Sequence, residues 1–262
     1  MSLELASREQ GEGPPLIILH GLFGSARNWE GIARKLAADW RVHALDLRNH
    51  GDSPWAKATD YPAMAEDVLA YLDRRGLSRA VVVGHSMGGK TAMALALTAG
   101  ERVAALVVVD IAPVAYAHSF APFIEAMKAL DLSALSRRAE ADALLAPAIA
   151  DSGIRSFLMQ NLANRDGGLV WRPNLEALKD GIEDISGFPE ALLSQRFQGP
   201  TLFLGGGASD YVGPPHHDLI GRLFPAARID SVADAGHWVH AENPAGFLAK
   251  LMPFLAEVSR AL

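Results

Sequence analysis

The chain has no cysteine. Disulfides, a thiol nucleophile and thiolate-based metal sites are thereby excluded, and nothing demands an oxidising compartment. It has no apolar run long enough to span a bilayer. Met1 to Gln10 lacks the basic start and apolar stretch of a secretory leader. An excess of positive charge is missing too. Lys and Arg number 24 against 30 Asp and Glu, a net charge of -6, which argues against nucleic acid or an anionic membrane as partner. There are no internal repeats and no low-complexity tail. What is left is a half-apolar chain of 262 residues, enough for one large core with room for an inserted subdomain. A cytoplasmic enzyme acting on small molecules is the expectation.

The most informative stretch is Gly84-His85-Ser86-Met87-Gly88-Gly89-Lys90-Thr91. It satisfies two incompatible patterns at once, the nucleophile elbow G-x-S-x-G over Gly84 to Gly88 and the phosphate-binding G-x-x-x-x-G-K-T over all eight positions. Both require a strand that ends in a tight turn and opens a helix. Arg79 to Val83 reads as that strand, and Thr91 to Ala99 as that helix. The next strand, Leu106 to Asp110, ends in an acid as a nucleotide-bound metal would require. A nucleotide-binding protein is therefore one reading, and a serine hydrolase the other.

The rest of the chain favours the hydrolase. After the apolar strand Leu16 to Leu19 comes His20-Gly21-Leu22-Phe23-Gly24-Ser25, a turn suited to lending a backbone N–H to an oxyanion. Ala235-Gly236-His237-Trp238 sets a histidine on a turn after the strand Ala227 to Val232, so the order serine, acid, histidine can be met. A nucleotide-binding loop explains neither segment. Strands and helices alternate from a weak edge strand at Leu3 to Arg8, through helices at about 26–38 and 62–75, to Asp110. This rhythm predicts a mostly parallel sheet with helices on both faces, with ligands at the carboxyl ends of the strands. Between Pro113 and Gly199 no convincing strand appears. Helical stretches at 123–130, 137–145 and 175–181 predict a helical cap over residues 113–198, inserted in a core of residues 1–112 and 199–262. Its aromatics Phe120, Phe123, Phe157, Trp171 and Phe188 either line an acyl pocket or pack the cap.

The turn at 20–25, the elbow with its trailing Gly89-Lys90, Asp110-Ile111-Ala112-Pro113 and Ala235 to His240 together resemble the α/β-hydrolase superfamily, and within it the YbfF-type bacterial esterases and their mitochondrial abhydrolase-domain relatives. The resemblance runs from about Leu16 to the C-terminus. It implies hydrolysis of carboxylic esters or acyl thioesters without cofactor or metal. Ser86 would be the nucleophile and His237 the general base, since a serine hydroxyl needs a base before it attacks a carbonyl and imidazoles titrate near neutrality. The N–H groups of Leu22 and Met87 would hold the oxyanion, with Phe23, His85 and Trp238 against the substrate. Two acids compete for the third place: Asp110, 24 residues after Ser86, and Asp210, 27 residues before His237. In the YbfF-like pattern the later position is not acidic, so this chain departs by carrying both. Asp110 is preferred.

Other polar residues read as structural. Asp46, Arg48, Asn49, His50 and Asp52 form a loop expected to satisfy buried backbone groups. His216-His217-Asp218 looks like a metal cluster, but adjacent residues point different ways. Lys90 is expected to reach a carboxylate or solvent, and His240 is a second candidate base. A noncatalytic binding protein on the same scaffold stays open. Acyl length, and ester against thioester, are set by cap geometry that residues alone do not give.

Overall fold

The computed structural model describes residues 2–117 and 120–261. The first half alternates as the pattern predicts. β1 (Ser7–Gln10) and β2 (Pro15–Leu19) lead to a short 3₁₀ turn (Ala26–Trp29) and α1 (Glu30–Leu36), followed by β3 (Arg41–Leu45), α2 (Tyr61–Arg74), β4 (Ala80–His85), α3 (Met87–Thr98) and β5 (Val103–Val109). Then come α4 (Ala121–Lys128), α5 (Arg138–Leu145), α6 (Ser152–Met159), β6 (Leu162–Arg165), β7 (Gly168–Trp171), α7 (Leu175–Asp180) and α8 (Ile182–Ser186). The chain closes with β8 (Thr201–Gly206), α9 (His217–Leu223), β9 (Ala227–Val232), α10 (Val239–Glu242) and α11 (Pro244–Ser259). Among the described residues no helix is long and apolar enough to cross a membrane.

Seven strands form one sheet in the order β1-β3-β2-β4-β5-β8-β9, parallel except for β1, which runs antiparallel to β3. Alternation along each strand divides the core in two. Ile17, Leu19, Val82, Leu106, Val108 and Phe203 face a cluster built with α2 and α3. Leu16, Ile18, Val81, Val83, Val107 and Leu202 face a second cluster with α1 and α11. Because both faces are covered, β4 and β5 read as unbroken apolar runs, and each fully buried valine or leucine there contributes about 1.5–3 kcal/mol. Helix starts follow local chemistry. Asp60 caps α2 by accepting from the Ala63 N–H at 2.8 Å, and Asn243 caps α11 through Gly246 at 2.9 Å; each such cap is worth about 1 kcal/mol.

Some boundaries differ from expectation. The elbow helix begins at Met87, not Thr91, because Gly88 and Gly89, poor helix formers, obscure its first turn. The helix expected over 26–38 is split by the 3₁₀ turn. Between β5 and β8 the sequence suggests only helices, yet β6 and β7 form an antiparallel hairpin. Its turn carries Asp166 and Gly167, both at positive φ (53° and 83°), and its strands are too short for period-two patterning to stand out. Helices α4, α5 and α7 fall close to where they are expected.

The loop at 46–53 has the structural role its composition suggests. Asp46 accepts from the N–H groups of Ala26 and Asp52, at 2.7 and 2.8 Å. Arg48 forms a buried ion pair with Asp67 at 2.7 Å and donates to the carbonyls of Ala58 and Ala63. A buried pair satisfied on every side like this one would be costly to break from either partner.

Candidate active site

Ser86 leaves β4 with φ 51° and ψ −117°, a region in which an L residue is strained. The turn is closed by the Ser86 N–H donating to the Val109 carbonyl and the Lys90 N–H donating to that of Ser86, both at 3.0 Å. The two flanking glycines are required by space. A Cβ at Gly84 would lie 2.1 Å from the Gly88 oxygen, and one at Gly88 would lie 2.4 Å from the Leu19 oxygen. The strained turn lifts the hydroxyl off the end of the sheet, where it is partly accessible while its neighbours are buried.

His237, on the loop after β9, brings Nε2 to 3.1 Å from Ser86 Oγ. Its Nδ1 lies 2.8 Å from Asp110 Oδ2. Asp110 follows β5 in a left-handed conformation, φ 49°, and is completely buried. Two further donors fix its carboxylate: the Gly206 N–H on Oδ1 at 2.8 Å and the Ser209 hydroxyl on Oδ2 at 2.6 Å. Asp210, the competing acid, is exposed and makes no bond to His237, so it is corrected from the set that meets the imidazole. The reason is local. The loop after β8 turns Ser209 inward onto Asp110 and leaves the next residue facing out. Ser209 stands next to the candidate acid Asp210 in sequence but carries no signal of its own, because its role depends on which way the loop turns.

The N–H groups of Leu22 and Met87 donate to no protein acceptor among the described residues, which leaves them free beside the serine. Gly21 allows the approach of the two turns, since a Cβ there would sit 2.8 Å from His85 Nδ1 and 3.3 Å from Ser86 Cβ. His85 is buried and donates from Nε2 to the His237 carbonyl at 2.8 Å. Burial, reinforced by the neighbouring His237 and His240, holds its pKa well below the usual histidine value, so it stays neutral and pins the His237 loop. Tyr211, not identified from sequence, stacks on the His237 ring with centroids 4.3 Å apart. His240 is no base. It is buried flat against Trp29 at 3.9 Å, and desolvation, then His237, lowers its pKa to about 3. His20 is likewise committed, its Nδ1 bonded to the Gly21 carbonyl at 2.8 Å and its Nε2 accepting from the Leu47 N–H at 3.0 Å.

Lys90 overturns expectation. It reaches neither a carboxylate nor solvent: it is buried and donates to the carbonyls of Ser186 and Gly187 at 2.8 and 2.6 Å, with the rings of Tyr116 and Tyr61 5.0 and 5.8 Å away. The carbonyls at the C-terminal end of α8 give the ammonium its partners; that of Ser186 also accepts from the Tyr116 N–H at 3.2 Å, whereas that of Gly187 has no other donor among the described residues. Desolvation lowers its pKa to about 7. The Thr91 hydroxyl donates back to the Met87 carbonyl at 3.0 Å. With its lysine and threonine turned into the protein, the segment cannot cradle a phosphate, and the nucleotide-binding reading fails.

A cavity of about 330 Å³ opens on Ser86 and His237. Phe23, His85 and Trp238, expected against substrate, line it, together with Phe120, Phe123 and Phe157 from the segment between β5 and β8. The other two aromatics pack instead, Trp171 donating to the Met127 carbonyl at 2.9 Å and Phe188 lying beside Tyr61. His217 Nε2 bonds the Val212 carbonyl at 3.1 Å, and no cluster among the described residues could hold a metal ion.

Known proteins are similar to this chain in sequence and fold. Residues 14–244 match the family model of the alpha/beta hydrolase fold. The chain is 44% identical to the sn-1-specific diacylglycerol lipase ABHD11 of Mus musculus, covering 93% of this chain and 81% of that protein. It is 36% identical to the esterase YbfF of Escherichia coli, covering 95% and 96% respectively. Among solved structures, a marine microorganism esterase superposes with a TM-score of 0.93 at 37% identity, covering 97% of this chain and all, 100%, of that one. Sequence, sheet order and the serine turn converge: the chain belongs to the alpha/beta hydrolase fold family.

Proposed function

We propose that this protein hydrolyses carboxylic esters, and acyl thioesters of similar shape, through an acyl-enzyme on Ser86. The observation that carries the reading is the continuous line from Ser86 Oγ through His237 to the buried Asp110 carboxylate, at 3.1 and 2.8 Å. His237 Nε2 takes the serine proton as Oγ attacks the acyl carbon, and Asp110 holds the imidazole in the tautomer that leaves Nε2 free to accept it. The oxyanion that forms is bonded by the Leu22 and Met87 N–H groups, each such donor being worth about 3 kcal/mol in the transition state. Collapse of the tetrahedral species expels the alcohol with the proton from Nε2. A water activated by the same nitrogen then releases the acid and restores Ser86.

The apolar cavity supports an acyl chain as the buried half of the substrate, with residues 113–198 acting as the cap that supplies Phe120, Phe123 and Phe157. The names of the relatives, an esterase and a diacylglycerol lipase, favour oxygen esters. The complete relay supports catalysis over a noncatalytic use of the scaffold.

The test is a panel of p-nitrophenyl esters and acyl-CoAs, run with Ser86→Ala and with a fluorophosphonate probe. Ser86→Ala is expected to lower kcat by about 10⁴-fold or more with the fold intact, and mass mapping to place the label on Ser86. Residual activity above about a tenth of the parent would discard the assignment.

A further inference from the structure

His237 borders two spaces. One is the apolar cavity; the other is a polar cleft of about 460 Å³ lined by Tyr116, Ser209, Asp210, Tyr211 and His216. Tyr211, stacked on His237, stands at the boundary of both. Most polar groups of the cleft are already committed. The Ser209 hydroxyl donates to Asp110, and the Tyr116 hydroxyl accepts from the Ala112 N–H at 2.9 Å and donates to the Tyr211 carbonyl at 2.7 Å. Asp210 is different. Its carboxylate has neither an ion-pair nor a hydrogen-bond partner among the described residues, although the chain pairs carboxylates elsewhere, as with Asp230 and Lys250.

We infer that this cleft receives the leaving half of the substrate, and that Asp210 selects alcohols bearing a positive charge or hydrogen-bond donors over those bearing phosphate or sulfonate. The inference rests on the esterase reading and deepens it. With the acyl chain in the apolar cavity, the cleft that shares His237 and Tyr211 with it offers the alcohol its place. When the tetrahedral species collapses, the bond from the acyl carbon to the alcohol oxygen breaks and its electron pair stays on that oxygen. The oxygen takes the Nε2 proton of His237, and the acyl group remains on Ser86. The departing molecule therefore forms beside His237, next to an open carboxylate. A cation there meets the unpaired Asp210 carboxylate, whereas an anion meets its repulsion. The same repulsion disfavours coenzyme A as leaving group, so the acidic residue that plays no part in the triad instead sets oxygen esters above acyl-CoA.

The test uses three butyrate esters of one shape, 4-(trimethylammonio)phenyl, 4-nitrophenyl and 4-sulfophenyl, with the parent, Asp210→Asn and Asp210→Lys. The quantity read is the ratio of kcat/KM for the cationic ester to that for the anionic one. Asp210→Asn is expected to lower this ratio about tenfold and Asp210→Lys about a hundredfold, with both effects shrinking as salt is raised. A ratio that stays within about twofold of the parent in both variants overturns the inference while the esterase reading stands. A parent enzyme that turns over none of the three esters overturns both.

Discussion

Beneath the site lie four imidazoles that the fold keeps uncharged. Desolvation lowers the pKa of His20 to about 4, of His50 to about 3 and of His240 to about 3, and holds His85 well below the ordinary value. His20 and His50 are 5.1 Å apart, and His85 and His240 5.0 Å, so charging one would oppose charging its neighbour. The perturbation of interest is mild acid. In the unfolded chain each histidine titrates near 6.5, so below that pH the unfolded state binds protons that the folded state refuses. Stability is whole above about pH 6.5 and falls as the pH drops through it, levelling only near the folded pKa values. Between about pH 7.5 and 5.5 each such group removes about 1.4 kcal/mol, a figure set by the unfolded pKa alone once the folded one lies far below. The four together remove about 5.6 kcal/mol, comparable with the whole stability of many domains at about 5–15 kcal/mol. Urea unfolding followed by tryptophan fluorescence at the two pH values measures the loss. His240→Phe, which keeps a ring against Trp29, is expected to flatten the dependence by about 1.4 kcal/mol. A total change below about 1 kcal/mol would refute the reasoning, because these imidazoles would then be taking up protons in the folded state.

Two other substitutions probe the relay and its surroundings. Asp110→Asn keeps the volume but supplies an amide that favours the wrong imidazole tautomer, so kcat for a p-nitrophenyl ester is expected to fall about 10⁴-fold with the melting temperature little changed. Lys90→Met keeps the stem and deletes the ammonium, which leaves the Gly187 carbonyl without its donor while Ser186 keeps the Tyr116 N–H; unfolding free energy is expected to drop by about 1–3 kcal/mol, read by urea titration at neutral pH.

Much of the site is legible in sequence because its parts are backbone features with strict residue demands. A serine at a left-handed turn needs Gly84 and Gly88 on either side, and that requirement leaves a pattern. The strands are legible for a related reason, since burial on both faces makes Val81-Val82-Val83 and Val107-Val108-Val109 unmistakable. What stays hidden depends on direction. Asp110 and Asp210 both follow a parallel strand, and only the course of the β8 loop turns one onto His237 and the other outward. Tyr211 carries no signal, because its stacking on His237 depends on that same loop. Lys90 shows how a pattern can mislead: Gly84 to Thr91 matches a phosphate loop letter for letter, while the carbonyls that capture the lysine come from a helix end about a hundred residues later.

The unusual backbone of Ser86 also bears on when its orientation is decided. A nucleophile on a relaxed loop would have to be gathered into position at every encounter with substrate, and that ordering would be charged to each catalytic cycle. Here the orientation is imposed once, as the chain folds, by the close contact of two glycines and the strand that precedes them. The free energy stored in the turn is drawn from core burial and never from substrate affinity. Each ester that arrives meets a hydroxyl already aimed.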